Sequence, residues 1–261
     1  MFVPISNKIY LKKKFGQHFL RDKAVAQEAV QKVSVDGASV FEIGCGDGFL
    51  TQQILKTDCA RLWIFEIDPE WAMLVKNKFS SDDRVTVFQE NILDVDFSSF
   101  EQHEPWTLIA NLPYQITFPI LHMLHRNRAL IAEGVVMIQE EVAQKIVKKT
   151  GRGYGYQSLF LQHYFDWELM SKVPPEAFYP PPKVTSRLLY FKPKKNVQKI
   201  PEEKSFWKFI KICFHQPRRT MRNNLKQAHF DCSIISETIL GKRAQQLTME
   251  DLLNLWNQVR V

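Results

Sequence analysis

The sequence contains only four cysteines, and they stand far apart. No C-x-x-C pair is present, and no histidine lies at zinc-ligand spacing from any of them. We therefore predict isolated reduced thiols and no metal site. The four residues are Cys45, Cys59, Cys213 and Cys232.

Long apolar runs and a secretory leader are also missing. Charged residues such as Glu133 and Lys145 interrupt every segment that could approach the roughly 20 apolar residues of a membrane span. Residues 1–14 have neither an apolar core nor a small-residue cleavage site. We therefore expect a soluble cytoplasmic protein with no membrane partner.

Acidic residues are in the minority. The 28 aspartates and glutamates face 35 lysines and arginines, which gives a net charge of +7 at pH 7 and an isoelectric point of about 9.1. This balance favours a polyanionic partner, with nucleic acid as the first candidate and a merely basic protein as the alternative. The 45% of hydrophobic and 24% of charged residues are typical of a globular chain and exclude disordered or collagen-like classes.

From residue 39 to about 193, short β-branched runs alternate with amphipathic segments, as in a parallel sheet covered by helices on both faces. The last two strands have no full helix between them, which predicts an antiparallel edge. The predicted strands are Ser39–Ile43, Arg61–Phe65, Arg84–Phe88, Trp106–Ala110, Gly134–Ile138, Phe165–Met170 and Ser186–Phe191. The fold class is therefore α/β.

Strand signals stop near residues 193–202, and apolar residues then recur at helical spacing. Asp68 and Pro69 predict the start of a helix of about ten residues after the second strand. Thr248 is the predicted cap of the last helix, with Asp251 three positions on. We expect an α/β domain over residues 1–196 and a small all-α domain over residues 197–261.

A glycine-rich turn lies between the first predicted strand and a helical pattern that begins at Phe49. Gly44, Gly46 and Gly48 have the spacing G-x-G-x-G, and side chains there would block the turn and keep the backbone from a ligand. Phe49 replaces the last glycine of a dinucleotide fingerprint. Glu66, which ends the second strand, is placed to accept the hydroxyls of a ribose. These features predict a cofactor with an adenosine and an amino-acid tail; a purely structural turn is the alternative.

The residues Asn111 to Tyr114 end the fourth strand, at the edge where open α/β sheets bind ligands. An adenine amine is a poor nucleophile because its lone pair is delocalised, so an enzyme must hold it as it pyramidalises. The side-chain oxygen of Asn111 and the carbonyl of Leu112 could accept its two N–H bonds, while Tyr114 stacks on the base. A simple strand-to-loop turn at Pro113 is the alternative.

These motifs occur together with further segments whose order matches one family. The other segments are Lys14–Leu20, Phe65–Asp68, Val173–Phe178, Pro180–Ser186 and Arg218–Leu225. From about residue 10 to residue 260, the chain resembles the ribosomal RNA adenine dimethyltransferases of the KsgA type. The resemblance implies a Rossmann-like class I methyltransferase sheet with a small all-α C-terminal domain, and S-adenosylmethionine as cofactor. It also implies dimethylation of two adjacent adenosines near the 3′ end of small-subunit ribosomal RNA, by a monomer acting on a subunit assembly intermediate.

The resemblance also assigns roles to single residues. Cofactor contacts are implied for Gln17, His18, Leu20, Gly44, Gly46, Glu66, Asn91 and Asn111. Catalytic contacts to the target adenosine are implied for Asn111, Leu112, Pro113, Tyr114 and Phe178. Among these, Gly44 would pass the methionine tail and Asn91 would meet the adenine of the cofactor. Phe178 would supply the second aromatic face around the target base, with a buried core phenylalanine as the alternative.

Two groups of basic residues are candidates for phosphate contacts. Lys12, Lys13 and Lys14 precede the N-terminal cofactor segment, and Arg218, Arg219 and Arg222 follow Pro217, where a helix is predicted to start. We expect both groups to bind RNA, and a solvated charged face is the alternative.

Three positions depart from the usual pattern of the family. Asn91 stands where aspartate is common, which keeps an acceptor oxygen but removes the charge. His18 replaces the commoner asparagine. The glycine-rich segment Gly151–Tyr156 also differs, which leaves its contact with the substrate open.

Three other functions compete with this interpretation. The erythromycin-resistance methyltransferases share the glycine-rich turn but modify large-subunit RNA, and the segment from Phe178 to Ser186 favours the small-subunit enzymes. An RNA-binding assembly factor that has lost catalysis is disfavoured by the intact Glu66 and Asn111. A dehydrogenase is disfavoured by Phe49.

Overall fold

The computed structural model of the chain describes residues 11–12 and 15–260. The strands in this part are β1 Phe19–Leu20, β2 Ser39–Ile43, β3 Arg61–Phe65, β4 Val85–Phe88, β5 Trp106–Asn111, β6 Ile131–Gln139, β7 Phe165–Val173, β8 Phe178–Tyr179 and β9 Ser186–Pro193. The α-helices are α1 Lys23–Gln31, α2 Phe49–Ile54, α3 Pro69–Lys78, α4 Thr117–Arg126, α5 Glu140–Val147, α6 Tyr156–Tyr164, α7 Glu203–Cys213, α8 Met221–Gln227, α9 Glu237–Gly241 and α10 Met249–Val259.

The main sheet has seven strands in the order β4-β3-β2-β5-β6-β9-β7. The strands β4, β3, β2, β5 and β6 run parallel, and β9 pairs antiparallel with β6. The mostly parallel α/β sheet with an antiparallel edge, predicted from the sequence, is confirmed. A separate short ladder joins β1 to β8, with Leu20 opposite Phe178. This ladder fixes the N-terminal segment against the loop that follows β7.

The central strands are buried because both of their faces carry apolar side chains. Val40, Ile64, Ile109 and Val135 come from four neighbouring strands and are at most 1% exposed. Each such side chain contributes roughly 1.5–3 kcal/mol when it leaves water. Helices α1 and α2 cover part of this core with Ala26, Ala29 and Ile54 among their buried residues. The core therefore holds the carboxyl ends of the parallel strands in fixed positions.

Two helix starts follow the sequence prediction. Asp68 caps α3 by accepting the amide of Glu70 at 3.2 Å, and Pro69 is the first helical residue. Thr248 and Asp251 form a reciprocal capping box at the start of α10. In contrast, the helix expected just after Pro217 begins only at Met221.

The late start of α8 has a backbone cause. The amide of Arg219 closes a turn on the carbonyl of Gln216 at 2.9 Å, and that of Met221 donates to Lys242 at 2.7 Å. Arg218 and Arg219 therefore lie in the turn before the helix.

The chain divides into two compact units, and the first comprises the described residues up to 143 together with 166–193. The second comprises residues 144–165 and the described residues from 194 onward. Residues 144–165 thus group with the C-terminal helices, whereas the division predicted at residue 196 placed them in the first domain. The cause is aromatic packing within the second unit, where the indole of Trp207 donates to Tyr164 at 2.9 Å and packs on Phe160.

The described residues contain neither a disulfide bond nor a helix suited to crossing a membrane. The four cysteines are free, as predicted, and Cys232 alone among them is partly exposed. In residues 11–12 and 15–260, no helix combines the length and apolar character needed to cross a membrane.

Gly134 provides a test of sheet packing. A Cβ at this position in β6 would lie 2.7 Å from the ring of Phe191 and 2.8 Å from the carbonyl oxygen of Leu108. We expect Gly134→Ala to lower the free energy of unfolding by about 1–3 kcal/mol, as overpacking does in other cores. Gly241→Ala is the control, because nothing lies within 4 Å of its Cβ. Urea unfolding of both variants is the measurement, and equal stability of the two would show that β6 has room for a side chain at position 134.

Candidate cofactor and catalytic site

A cavity of about 340 Å³ lies at the carboxyl ends of β2, β3 and β5. Its walls come from residues 15–20, 42–47, 65–67, 90–93 and 111–116, with Phe49 and Leu50. The structure brings most of the predicted site residues together on these walls, namely Gln17, His18, Leu20, Gly44, Gly46, Glu66, Asn91, Asn111, Leu112, Pro113 and Tyr114. The site is therefore built at the edge of the sheet where the sequence predicts it.

The glycine-rich turn joins β2 to α2 beneath this cavity. Gly44 and Gly46 both have positive φ values, of 73° and 54°, which L-amino acids with side chains rarely adopt. A Cβ on Gly46 would also run into the ring of Phe19. The second glycine of the turn is thus needed for close contact with the N-terminal segment.

Glu66 follows β3 directly and ties the turn to this strand. One carboxylate oxygen accepts the amide of Gly46 at 3.1 Å, and the other accepts that of Asp68 at 2.9 Å. The side chain is only 6% exposed, and burial raises its pKa while the two hydrogen bonds oppose the rise. The Cys45 thiol also donates to the oxygen that binds Gly46, at 3.9 Å. The oxygen that binds Asp68 keeps a second lone pair, which is what a ribose hydroxyl needs.

Residues 11–12 and 15–20, here called the N-terminal arm, are held by a buried carboxylate. Asp68 accepts Nζ of Lys12 at 2.7 Å and Nε2 of Gln17 at 3.1 Å, and Lys12 also pairs with Glu70 at 2.8 Å. The ammonium group of Lys12, predicted to bind RNA, is thus engaged within the protein. Lys13 and Lys14 lie outside the described residues.

Asn111 ends β5 with its amide in a defined orientation. Its Nδ2 donates to the carbonyl oxygen of His18 at 2.9 Å, and within the described residues no donor pairs with its Oδ1. The next residue, Leu112, donates its amide to Met137 in β6 at 3.1 Å. The backbone is therefore anchored to the sheet while the Asn111 oxygen is left to accept a hydrogen bond.

Tyr114 lies beside His18 on the wall of the cavity. The two rings stack with centroids 5.9 Å apart, and the tyrosine hydroxyl lies 2.6 Å from Oγ of Ser186. Nδ1 of His18 is 2.8 Å from the carbonyl of Pro180, so the imidazole is fixed as well. Burial raises the pKa of Tyr114, which keeps the ring neutral.

Asn91 lines the cavity but also caps its own turn. Its Oδ1 accepts the amide of Leu93 at 3.2 Å, and its Nδ2 donates to Asp94 at 2.8 Å. The amide oxygen keeps one lone pair for an adenine amine.

Phe178 does not lie on the wall of the cavity. It is 2% exposed, belongs to the apolar core and is not among the described residues that line the cavity. The structure therefore places its ring in the core, and a base-stacking role would require the ring to turn outward. That role stays a prediction.

The arginines after Pro217 differ in their surroundings. Arg222 forms an ion pair with Glu237 on the surface of the second unit. Arg218 and Arg219 are exposed, and no ion pair is found for either in the described part of the chain. The two arginines of the turn are thus better placed than Arg222 to meet a phosphate.

Two further residues of the cavity wall, Ile67 and Glu42, have features that suit a bound cofactor, and no sequence motif assigns them a role. Ile67 lies next to Glu66 and leaves 47% of its surface exposed, a suitable apolar face for a purine ring. Glu42, the fourth residue of β2, is 1% exposed and accepts Oγ1 of Thr51 at 2.6 Å. For Ile67, the sequence signal is an apolar residue directly after the acid that follows β3. For Glu42, no feature of the sequence indicates that the side chain is buried.

The residues of the cavity fit S-adenosylmethionine. Glu66 offers a lone pair for a ribose hydroxyl, Ile67 offers an apolar face, and the turn at Gly44 has no Cβ between the backbone and the cavity. Fold and site together define an S-adenosylmethionine-dependent methyltransferase.

The chain belongs to the ribosomal RNA adenine dimethylase family, whose sequence model matches residues 9–259. The ribosomal RNA small subunit methyltransferase A of Prosthecochloris aestuarii is 35% identical over 254 residues, which are 97% of this chain and 95% of that protein. The protein of the same name from Cytophaga hutchinsonii is 35% identical over 257 residues, 97% of this chain and 98% of that protein.

Two solved structures share the fold. A dimethyladenosine transferase from Plasmodium falciparum has a TM-score of 0.76 at 20% identity and covers 92% of this chain and 98% of its own. The 23S rRNA methyltransferase ErmE has a TM-score of 0.70 at 21% identity, with 93% and 100% covered. The Rossmann-like fold predicted from the sequence is thereby confirmed.

The buried Glu42 makes stability depend on pH. Burial, with the nearby charge of Glu66, raises its pKa from 4.5 to about 8, although the Thr51 hydrogen bond opposes the shift. Between these values the folded protein binds more protons than the unfolded chain, so stability falls as pH rises. We expect a loss of up to about 1.4 kcal/mol per pH unit across this window in the cofactor-free protein.

The measurement is urea unfolding at intervals from pH 5 to pH 8. Glu42→Gln keeps an acceptor for Thr51 but cannot ionise, so its curve should be flatter. Parallel curves for the two proteins would show that Glu42 is not the group responsible.

Proposed function

We propose that this protein transfers methyl groups from S-adenosylmethionine to the N6 amines of two adjacent adenosines near the 3′ end of small-subunit ribosomal RNA. The family match and the small-subunit methyltransferases that align with 97% of the chain support this proposal. We further propose that it acts as a monomer, in the cytoplasm, on an assembly intermediate of the subunit.

The orientation of Asn111 is the observation that carries the proposal. Nδ2 donates to the carbonyl of His18, and within the described residues no donor pairs with the oxygen, which can therefore accept a hydrogen bond from a bound base. In our proposal, this oxygen and the carbonyl of Leu112 accept the two N–H bonds of the adenine amine. As the amine pyramidalises, its lone pair turns toward the methyl donor, and the two acceptors stabilise that geometry without removing a proton beforehand.

Tyr114 is proposed to hold the plane of the target base. Its ring is fixed by Ser186 on the hydroxyl and by His18 on one side. A base that stacks on such a ring gains about 1–3 kcal/mol. We propose that the ring of Phe178 stacks on the other face of the base. This contact requires the ring to turn out of the core.

The second unit is proposed to dock the RNA. Residues 144–165 and 194–261 contain 17 lysines and arginines against six acids, whereas the rest of the chain contains 18 against 22. The whole positive excess of the protein therefore resides in this unit. Arg218 and Arg219 are the proposed phosphate contacts, and Arg222 would have to exchange Glu237 for a phosphate to join them.

The direct test is methylation of small subunits in vitro. Subunits from cells that lack this protein are incubated with it and S-adenosylmethionine, and their RNA is analysed by mass spectrometry for dimethyladenosine. Two adjacent dimethyladenosines near the 3′ end are expected. Modification of large-subunit RNA alone would favour the erythromycin-resistance type, and no modification would favour a non-catalytic assembly factor.

The first variant for this assay is Asn111→Ala. It removes an acceptor that is needed chiefly in the transition state, so we expect the rate of methyl transfer to fall about 10²- to 10³-fold. Asn127→Ala is the matched control, because its amide caps α4 on Met123 and does not line the cavity. Near-normal turnover by a folded Asn111→Ala protein would remove this residue from catalysis.

The second variant tests the docking surface. Arg218→Ala combined with Arg219→Ala should weaken RNA binding and reduce the slope of log affinity against log salt by about 0.7–0.9 per lost contact. Cofactor affinity should not change, because the cofactor residues belong to the first unit. The matched control is Lys204→Ala with Lys208→Ala, two exposed lysines of α7. An equal loss of slope in both pairs would mean that the arginines have no specific role.

A further inference from the structure

Glu42 is a titratable group of the cavity that the proposed reaction does not use. It stands one residue before the end of β2, with its side chain 1% exposed and on the wall of the cavity. Thr51 of α2 donates to its Oε2 at 2.6 Å. A buried carboxylate with one hydroxyl donor is poorly compensated, because ionised carboxyl groups are stable in proteins when they are paired or multiply hydrogen-bonded.

The charged and titratable groups around Glu42 come from each neighbouring element. Glu66 faces it from the end of β3, and Asp47 and Cys45 from the glycine-rich turn. The positive group that lowers the pKa of Glu42 is Lys78 at the end of α3. Its ammonium donates to the carbonyl of Asp47 at 2.9 Å. Burial raises the pKa of Glu42 to about 8, and the negative charges of Glu66 and Asp47 add to this effect.

The two forms of the cofactor differ in charge at the reacting atom. S-adenosylmethionine has a positive sulfonium, whereas the product S-adenosylhomocysteine has a neutral thioether; both have the same amino-acid tail and ribose. We propose that Glu42 is the proton-linked counter-charge of this sulfonium, protonated in the free and product-bound protein and ionised when S-adenosylmethionine occupies the cavity. A positive charge that enters a low-dielectric cavity favours the ionised form of a carboxyl group on its wall.

The proton balance of this cycle is closed. Glu42 releases one proton to solvent as S-adenosylmethionine binds. During transfer, the S–CH₃ bond breaks, the N–CH₃ bond forms, and the amine loses one proton to solvent. Glu42 then takes a proton back from solvent once the thioether replaces the sulfonium. Glu42 thus accepts nothing from the adenine amine and is no general base.

Unequal affinities for the two cofactor forms follow from this linkage. Release of one proton on binding makes affinity rise up to tenfold per pH unit, by the reciprocity of coupled equilibria. We expect the affinity for S-adenosylmethionine to rise with pH up to about pH 8, the upper limit being set by the pKa of Glu42. The affinity for S-adenosylhomocysteine should change much less. The protein would thereby discriminate against its product most strongly at the upper end of this range.

The test is calorimetric counting of protons. The binding heat of each cofactor form is measured at pH 7 in several buffers of different ionisation enthalpy, and the slope gives the number of protons released. The intact protein should release close to one proton more with S-adenosylmethionine than with S-adenosylhomocysteine, and Glu42→Gln should abolish this difference. Titration of the α-amino groups of the ligands cancels in the comparison of the intact protein with Glu42→Gln, because both proteins bind the same two ligands. Equal proton numbers for the two ligands would overturn the proposal.

Two further variants keep the test decisive. Thr51→Val removes the donor that stabilises the ionised carboxyl of Glu42, so the pH range in which cofactor binding releases a proton should shift upward. This variant tests the proposal even if Glu42→Gln does not fold. Glu90→Gln removes an exposed acid from the wall of the same cavity and should leave the proton difference unchanged. An unshifted range with Thr51→Val, or loss of the difference with Glu90→Gln, would contradict the assignment. No RNA is present in these experiments, so a failure of the proposed rRNA substrate would not affect them.

Discussion

The site depends on one buried carboxylate whose two oxygens bind two separate backbone segments. Glu66 accepts the amide of Gly46 on one side and that of Asp68 on the other. The glycine-rich turn and the start of α3 are therefore fixed to the same strand end. Asp68, positioned by the second of these bonds, accepts Lys12 and Gln17 of the N-terminal arm. The chain of contacts thus extends from the sheet through two acids, Glu66 and Asp68, to the N-terminal arm on the cavity wall.

Much of the fold could be predicted because strong local signals agree with tertiary structure. β2 and β3 have the predicted bounds, since each is a short, apolar run between turn residues. α3 and α10 begin where Asp68 and Thr248 provide side-chain caps. β6 begins three residues before the predicted strand, because Glu133 bonds to Ser34 and Tyr190 and is accommodated within it. The residues next to a charged strand residue in the sequence do not reveal which distant groups will bind it.

The sequence predicts which residues form the candidate site better than it predicts the hydrogen bonds and ion pairs between them. Motif spacing brings Gly44, Glu66 and Asn111 to one edge, because parallel strands end together. The spacing does not reveal that Lys12 pairs with Asp68, since these residues are distant in sequence and their attraction depends on the folded arm. The core position of Phe178 also depends on the ladder between β1 and β8. Both departures arise from long-range contacts of the arm.

The contact between Gly46 and Phe19 also bears on how such a sequence can vary. Since a Cβ on Gly46 would strike the ring of Phe19, the residue in the turn and the residue in the arm restrict each other. A substitution at either position alters the space available to the other. Variation in the turn is therefore coupled to variation in a segment about 27 positions earlier in the chain. A homologue with a smaller residue at the arm position would have room for a side chain in the turn, provided that the left-handed backbone there relaxed as well.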